Sequence, residues 1–144
     1  MKTVRQLLES KGNNVLWIAP SASVHDALLL MAEKHVGALL VMENQKLVGI
    51  FSERDYARNV TLESKSPRDT LVKELMTSHA HLITVAPSDD VEDCMELVTE
   101  KRIRHLPVME NETVVGVLSI GDLVKETIEH QRFLITQLEN YIKS

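Results

Sequence analysis

Two short stretches of this chain, GIFSERDYARNV (Gly49 to Val60) and GVLSIGDLVKET (Gly116 to Thr127), hold the residues whose types and spacing suit chemistry. Each runs glycine, two apolar residues, serine, two variable residues and aspartate, and the two copies lie 67 positions apart. Ser52 and Ser119 are expected where a strand turns into a helix, with Asp55 and Asp122 just inside the first helical turn. A carboxylate there can accept two hydrogen bonds from the vicinal hydroxyls of a sugar, each worth about 1.5–3 kcal/mol when kept from water. The serine hydroxyl and the nearby backbone N–H groups suit a phosphate. The same spacing also describes a capping box, with serine as N-cap and the acid at N3. One copy would not choose between these roles, and both can coexist.

The surroundings of the two motifs match. Sliding the chain by 67 aligns Ala19–Asp55 with Ala86–Asp122 without a gap, and 17 of the 37 pairs are identical. So high a match marks a duplicated unit, in which one copy's fold constrains the other's. Each unit opens on an apolar stretch ending in proline, Val15–Pro20 and Leu82–Pro87, expected as strands. Val24, Ala27, Leu28 and Met31 then fall at helical spacing, matched by Val91, Cys94, Met95 and Val98. Cys94 lies inside that stripe as a small core residue. Ser23 and Asp90 are expected as N-caps, followed by Asp26 and Asp93 in the first turn. GALLVM and RHLPVM read as strands, with Asn44 and Asn111 at positive-φ turn positions. LVGIFS and VVGVLS return, and helices begin near Glu53 and Ile120. The order is β-α-β-β-α, twice. It implies an α/β (α+β) fold of two short sheets with helices behind, packed about a pseudo-twofold axis.

This divides the chain into residues 1–61 (first repeat with a leading helix), 62–78 (connecting segment with a short helix), 79–128 (second repeat) and 129–144 (C-terminal helical extension). Val124, Ile128, Gln131, Ile135, Leu138 and Ile142 alternate at spacings of four and three, a heptad-like stripe with one glutamine. The stripe suits packing on its own domain, or a contact with a second copy or a partner. Units of about 60 residues bury too little surface to be comfortable alone, so fusion or homodimerisation is expected. The net charge of −5 argues against general nucleic-acid binding. A single cysteine excludes an internal disulfide and suits a reducing compartment. No apolar run approaches the roughly 20 residues that span a bilayer, and no secretory signal is evident, so a cytoplasmic protein without a membrane anchor is expected.

The repeated ITVAP-type openings and RIRHLPVMENETVVGVLSIGDLVKETI, with its first-repeat equivalent, resemble a tandem pair of cystathionine-β-synthase-type (CBS) domains, also called a Bateman module, over nearly the whole chain. It is most similar to small free-standing prokaryotic members. The resemblance implies an adenine nucleotide or related adenosyl ligand (AMP, ATP or NAD) bound in clefts between the repeats, and a homodimer. It implies that Thr84, Arg104, His105, Pro107, Ser119 and Asp122 serve one site, with the strand edge at Arg104–His105 meeting adenine and its basic side chains reaching phosphate. The other site would use Ile18, Gly37, Ala38, Ser52, Arg54, Asp55 and Arg58. A solvated basic patch and an ordinary strand threonine remain the plain alternatives for Arg104–His105 and for Thr84.

The two half-sites are unequal. Trp17, Gly37, Ala38 and Leu40 stand where the second repeat has Thr84, Arg104, His105 and Pro107, and Arg54 stands where it has Gly121. The first site is greasier, with Arg54 and Arg58 available to neutralise phosphate. His79 and His81 supply two metal ligands without a third, which makes a poor site. There is no glycine-rich phosphate loop of the Walker type and no convincing catalytic set, so an enzyme is not expected. A nucleotide-sensing regulatory module, passing its output to a separate effector protein, fits best. A ligand-independent dimeric scaffold acting through the C-terminal helix is the alternative.

Overall fold

A computed structural model describes residues 1–63 and 66–144; Ser64 and Lys65 of the expected connecting segment lie outside them. The elements run α1 (Val4–Lys11), β1 (Trp17–Ile18), α2 (Val24–Lys34), β2 (Ala38–Glu43), β3 (Lys46–Ser52), α3 (Glu53–Glu63), α4 (Val72–Leu75), β4 (Thr77–Ser78), α5 (Val91–Lys101), β5 (His105–Glu110), β6 (Thr113–Ser119) and α6 (Ile120–Lys143). Strands β1 to β4 form one sheet in sequential order, and β5 and β6 form a second. The β-α-β-β-α reading holds, with the opening strand of each repeat shortened. Val15–Pro20 narrows to the two-residue β1, and Leu82–Pro87 to a single parallel bridge between Val85 and Val108. That bridge is the counterpart, 67 residues on, of the pairing of Ile18 with Val41. Proline at each stretch's end lacks the donor that would extend the ladder.

The compact units do not follow the order of the chain. One contains residues 1–14, 84–111 and 115–144, and the other 15–83 and 112–114. By contacts, the leading helix α1 groups with residues of the second repeat, and α4 with residues of the first. Backbone bonds explain the grouping. The Val4 and Arg5 N–H groups donate to the Asp89 and Pro87 carbonyls at 2.8 and 2.9 Å, and Val91 N–H donates back to Lys2. In the other unit Val72 and Lys73 donate to Ala22 and Pro20 at 2.8 and 3.1 Å, and Val24 donates to Thr70. Each leading helix thus takes up backbone groups around the start of the long helix it packs with.

The two cores use corresponding residues. Val24, Ala27, Met31, Leu39, Val41, Phe51 and Val72 form one buried cluster. Val91, Cys94, Val98, Leu106, Val108, Leu118 and Val4 are buried in the other unit. Burial also pushes the Cys94 thiol up to about 11, an effect that Asp89, Asp93 and Asp90 reinforce, so it stays a protonated core group. Both hairpin turns use positive φ at two successive residues, Asn44–Gln45 and Asn111–Glu112, one more in each than the asparagine alone predicts. Ser23 caps α2 through a bond from Asp26 N–H, whereas Asp90 stands at the N-cap of α5 without a side-chain cap bond.

The glycine of each motif has a steric reason. A Cβ on Gly49 would lie 2.6 Å from the Thr77 carbonyl oxygen, and one on Gly116 would lie 2.7 Å from a Leu8 methyl. Gly49→Ala should therefore cost about 1–3 kcal/mol in chemical denaturation, because it meets fixed backbone. Gly116→Ala should cost less, because a leucine methyl can turn aside. Equal costs would show that β4 yields as easily as Leu8.

Candidate functional site

In each unit the Ser-x-x-Asp motif sits at the junction of a returning strand and a helix. Ser119 ends β6 and caps α6: its hydroxyl accepts from Asp122 N–H at 3.1 Å, and its own N–H donates to Asp122 Oδ2 at 2.8 Å. Ser52 ends β3, and its hydroxyl accepts from Asp55 N–H at 3.2 Å while its N–H reaches Asp55 Oδ2 at 2.9 Å. Both motifs are reciprocal capping boxes, so the structural role expected of the spacing is realised twice. Neither carboxylate is fully buried. Each stands near the positive end of a helix dipole, where an anion is favoured.

Backbone bonds bring the strand entry beside each motif. The Arg104 carbonyl accepts from Ile120 N–H at 2.8 Å, and the Gly37 carbonyl accepts from Glu53 N–H at 3.1 Å. Around Asp122 this gathers exposed Arg104 and half-buried His105 at the start of β5. Thr84 is exposed and directly precedes Val85, which pairs with β5. Around Asp55, Ala38 pairs with Ser52 across β2 and β3, and half-buried Ile18 pairs with Val41. Arg54 and Arg58 are exposed on the first turns of α3. Pro107 is buried, and its carbonyl accepts from Val85 N–H at 3.0 Å, which ties it into the strand pairing.

One residue of this region went unrecognised in the sequence. Lys11, the last residue of α1, donates to Asp122 Oδ2 at 2.6 Å and to the Val117 carbonyl at 2.7 Å. Burial would raise the Asp122 carboxyl. The hydrogen bond from Lys11, the Ser119 backbone N–H and the lysine charge outweigh it and hold Asp122 below the usual carboxylate range. The carboxylate is thus held ionised. A lysine ahead of Gly12 gives no sign of a partner 111 residues away; it follows only from α1 packing with the second repeat.

These features define a duplicated α/β protein that presents one partly buried acid at each of two equivalent strand-to-helix junctions. Comparison with known proteins agrees. A model of the CBS domain matches residues 4–61 and 72–129, and the chain belongs to that family as a tandem pair. It is 37% identical to the mitochondrial CBS domain-containing protein CBSX3 of Arabidopsis thaliana over 148 residues, covering 98% of this chain and 72% of the relative. The crystal structure of the CBS domain protein NE2398 shares 50% identity with a TM-score of 0.84, over 88% of this chain and 98% of the other. A crystal structure of CBSX2 in complex with AMP shares 28% identity with a TM-score of 0.72, over 91% and 99% of the two chains.

Proposed function

We propose that the protein is a non-catalytic regulatory module that binds AMP, ATP, NAD or a related adenosyl compound at its two Ser-x-x-Asp motifs. The observation that carries this reading is Asp122, a partly buried carboxylate held ionised at a helix start beside a polar strand edge. In the second site Asp122 accepts the ribose hydroxyls, the Ser119 region and Arg104 meet phosphate, and the edge at His105 with Thr84 meets the base and sugar. In the first, Asp55 accepts the ribose while Arg54 and Arg58 neutralise phosphate, and Ile18, Gly37 and Ala38 form a more apolar wall. The AMP complex of CBSX2 supports the ligand class.

A sensor of this kind acts by differential affinity: a ligand that prefers one arrangement of the chain shifts the population toward it. With no catalytic step, the output passes to a second copy of the chain or to a separate cytoplasmic effector. A thermal-shift series tests this. A nucleotide at 100 times its Kd contributes about 2.7 kcal/mol, which should raise the melting temperature by about 5–10 °C. Indifference to AMP, ATP and NAD alike would sink the sensor reading.

A second reading, a ligand-independent scaffold, is favoured by α6. Its stripe is not packed on its own domain: exposure runs from 41% at Val124 to 72% at Ile142. Every residue from Gln131 to Ser144 is exposed. A homodimer through this helix would cover the stripe. No helix among the described residues is long and apolar enough to cross a membrane.

A further inference from the structure

We propose that Lys11 is a specificity-determining residue of the second site, whose ammonium competes with a sugar diol for Asp122 and so favours ligands that carry a phosphate. The proposal rests on reading Asp122 as a ribose acceptor. Its warrant is the valence of one oxygen atom. A carboxylate oxygen offers two lone pairs, and Asp122 Oδ2 already meets two donors, Ser119 N–H at 2.8 Å and Lys11 Nζ at 2.6 Å. A vicinal diol that engages both carboxylate oxygens must displace one of them. The Ser119 N–H is locked in the capping box of α6, so Lys11 is the group that moves.

Asp55 is built differently. Its Oδ2 takes the N–H and the hydroxyl of its own Ser52, at 2.9 and 3.0 Å. Among the described residues no cation pairs with it. A serine hydroxyl makes way by rotating about one bond. Displacing Lys11 breaks an ion pair and also gives up its bond to the Val117 carbonyl. A bare nucleoside therefore binds at Asp122 against that loss. A nucleotide's phosphate offers the displaced ammonium, on its flexible four-carbon stem, a new anion. Lys11 thus separates phosphorylated from unphosphorylated ligands without touching the base.

Calorimetric titration of the full chain with adenosine, AMP and 2′,3′-dideoxyadenosine tests this in the wild type, Lys11→Met and Lys11→Arg. Lys11→Met should bind adenosine about tenfold more tightly, the size of one charge-assisted hydrogen bond regained. Dideoxyadenosine, which lacks the diol, should be unaffected, and the preference for AMP over adenosine should narrow. Lys11→Arg should keep the wild-type preference. Lys11→Gln, which leaves a polar end on α1, carries the same expectation as methionine should that variant unfold. Unchanged or weaker adenosine binding without Lys11, while Asp122→Asn still weakens AMP, overturns the proposal and leaves the nucleotide reading standing. Failure of all three compounds to bind any of these proteins overturns both.

Discussion

Asp122→Asn should weaken AMP binding by roughly tenfold to a hundredfold, the loss of one or two charge-assisted hydrogen bonds to a sugar. The amide keeps the shape of the side chain and one oxygen for the Ser119 N–H, so α6 keeps its start. It removes the charge that Lys11 and a diol both seek, and presents an N–H₂ donor where an acceptor is needed. Loss of the ion pair with Lys11 is a separate and smaller effect, because both side chains are partly solvated. Calorimetry reads the first effect and melting of the unliganded protein reads the second. Asp55→Asn makes the matching test in the first repeat. If neither substitution weakens any adenine nucleotide, the assignment of these acids to a ribose fails, whatever the melting curves show.

Phe51→Ala should cost about 3–5 kcal/mol, lowering the melting temperature by roughly 10–15 °C. Phe51 is fully buried and is among the largest buried side chains of the chain. It packs among Val24, Ala27, Met31, Leu39, Val41 and Val72, contributed by three separate elements of its unit. A cavity there cannot close without moving several of them. Phe51 also directly precedes Ser52, so the loss should loosen the strand end that holds the Ser52–Asp55 box. Leu118 occupies the equivalent place in the other unit and is smaller. A melting-temperature change under about 3 °C would mean that this core relaxes freely around the gap, contrary to close packing.

Much of this architecture is legible in the amino-acid sequence. The helical stripe at Val91, Cys94 and Val98, the asparagine turns and the strand-to-helix junctions at Ser52 and Ser119 are set by contacts between near neighbours in the chain. Periodicity, turn chemistry and capping report such contacts directly. The 67-residue repeat then tied each element to its twin. The long opening strands read less well, because extended apolar residues before a proline look like a strand whether or not a ladder partner is present. Leu82–Pro87 has one bridge among the described residues.

The amino-acid order by itself determined the duplicated β-α-β-β-α unit, its core positions and the pair of acids at the helix starts, since all of these follow from local spacing. Tertiary structure alone decided which residues each leading helix groups with, that Pro107 is buried, and that the α6 stripe is exposed among the described residues. It alone set Lys11 on Asp122. Those outcomes depend on which distant backbone groups satisfy one another, as when Val4 and Arg5 find Asp89 and Pro87. Spacing along a chain carries no record of that choice.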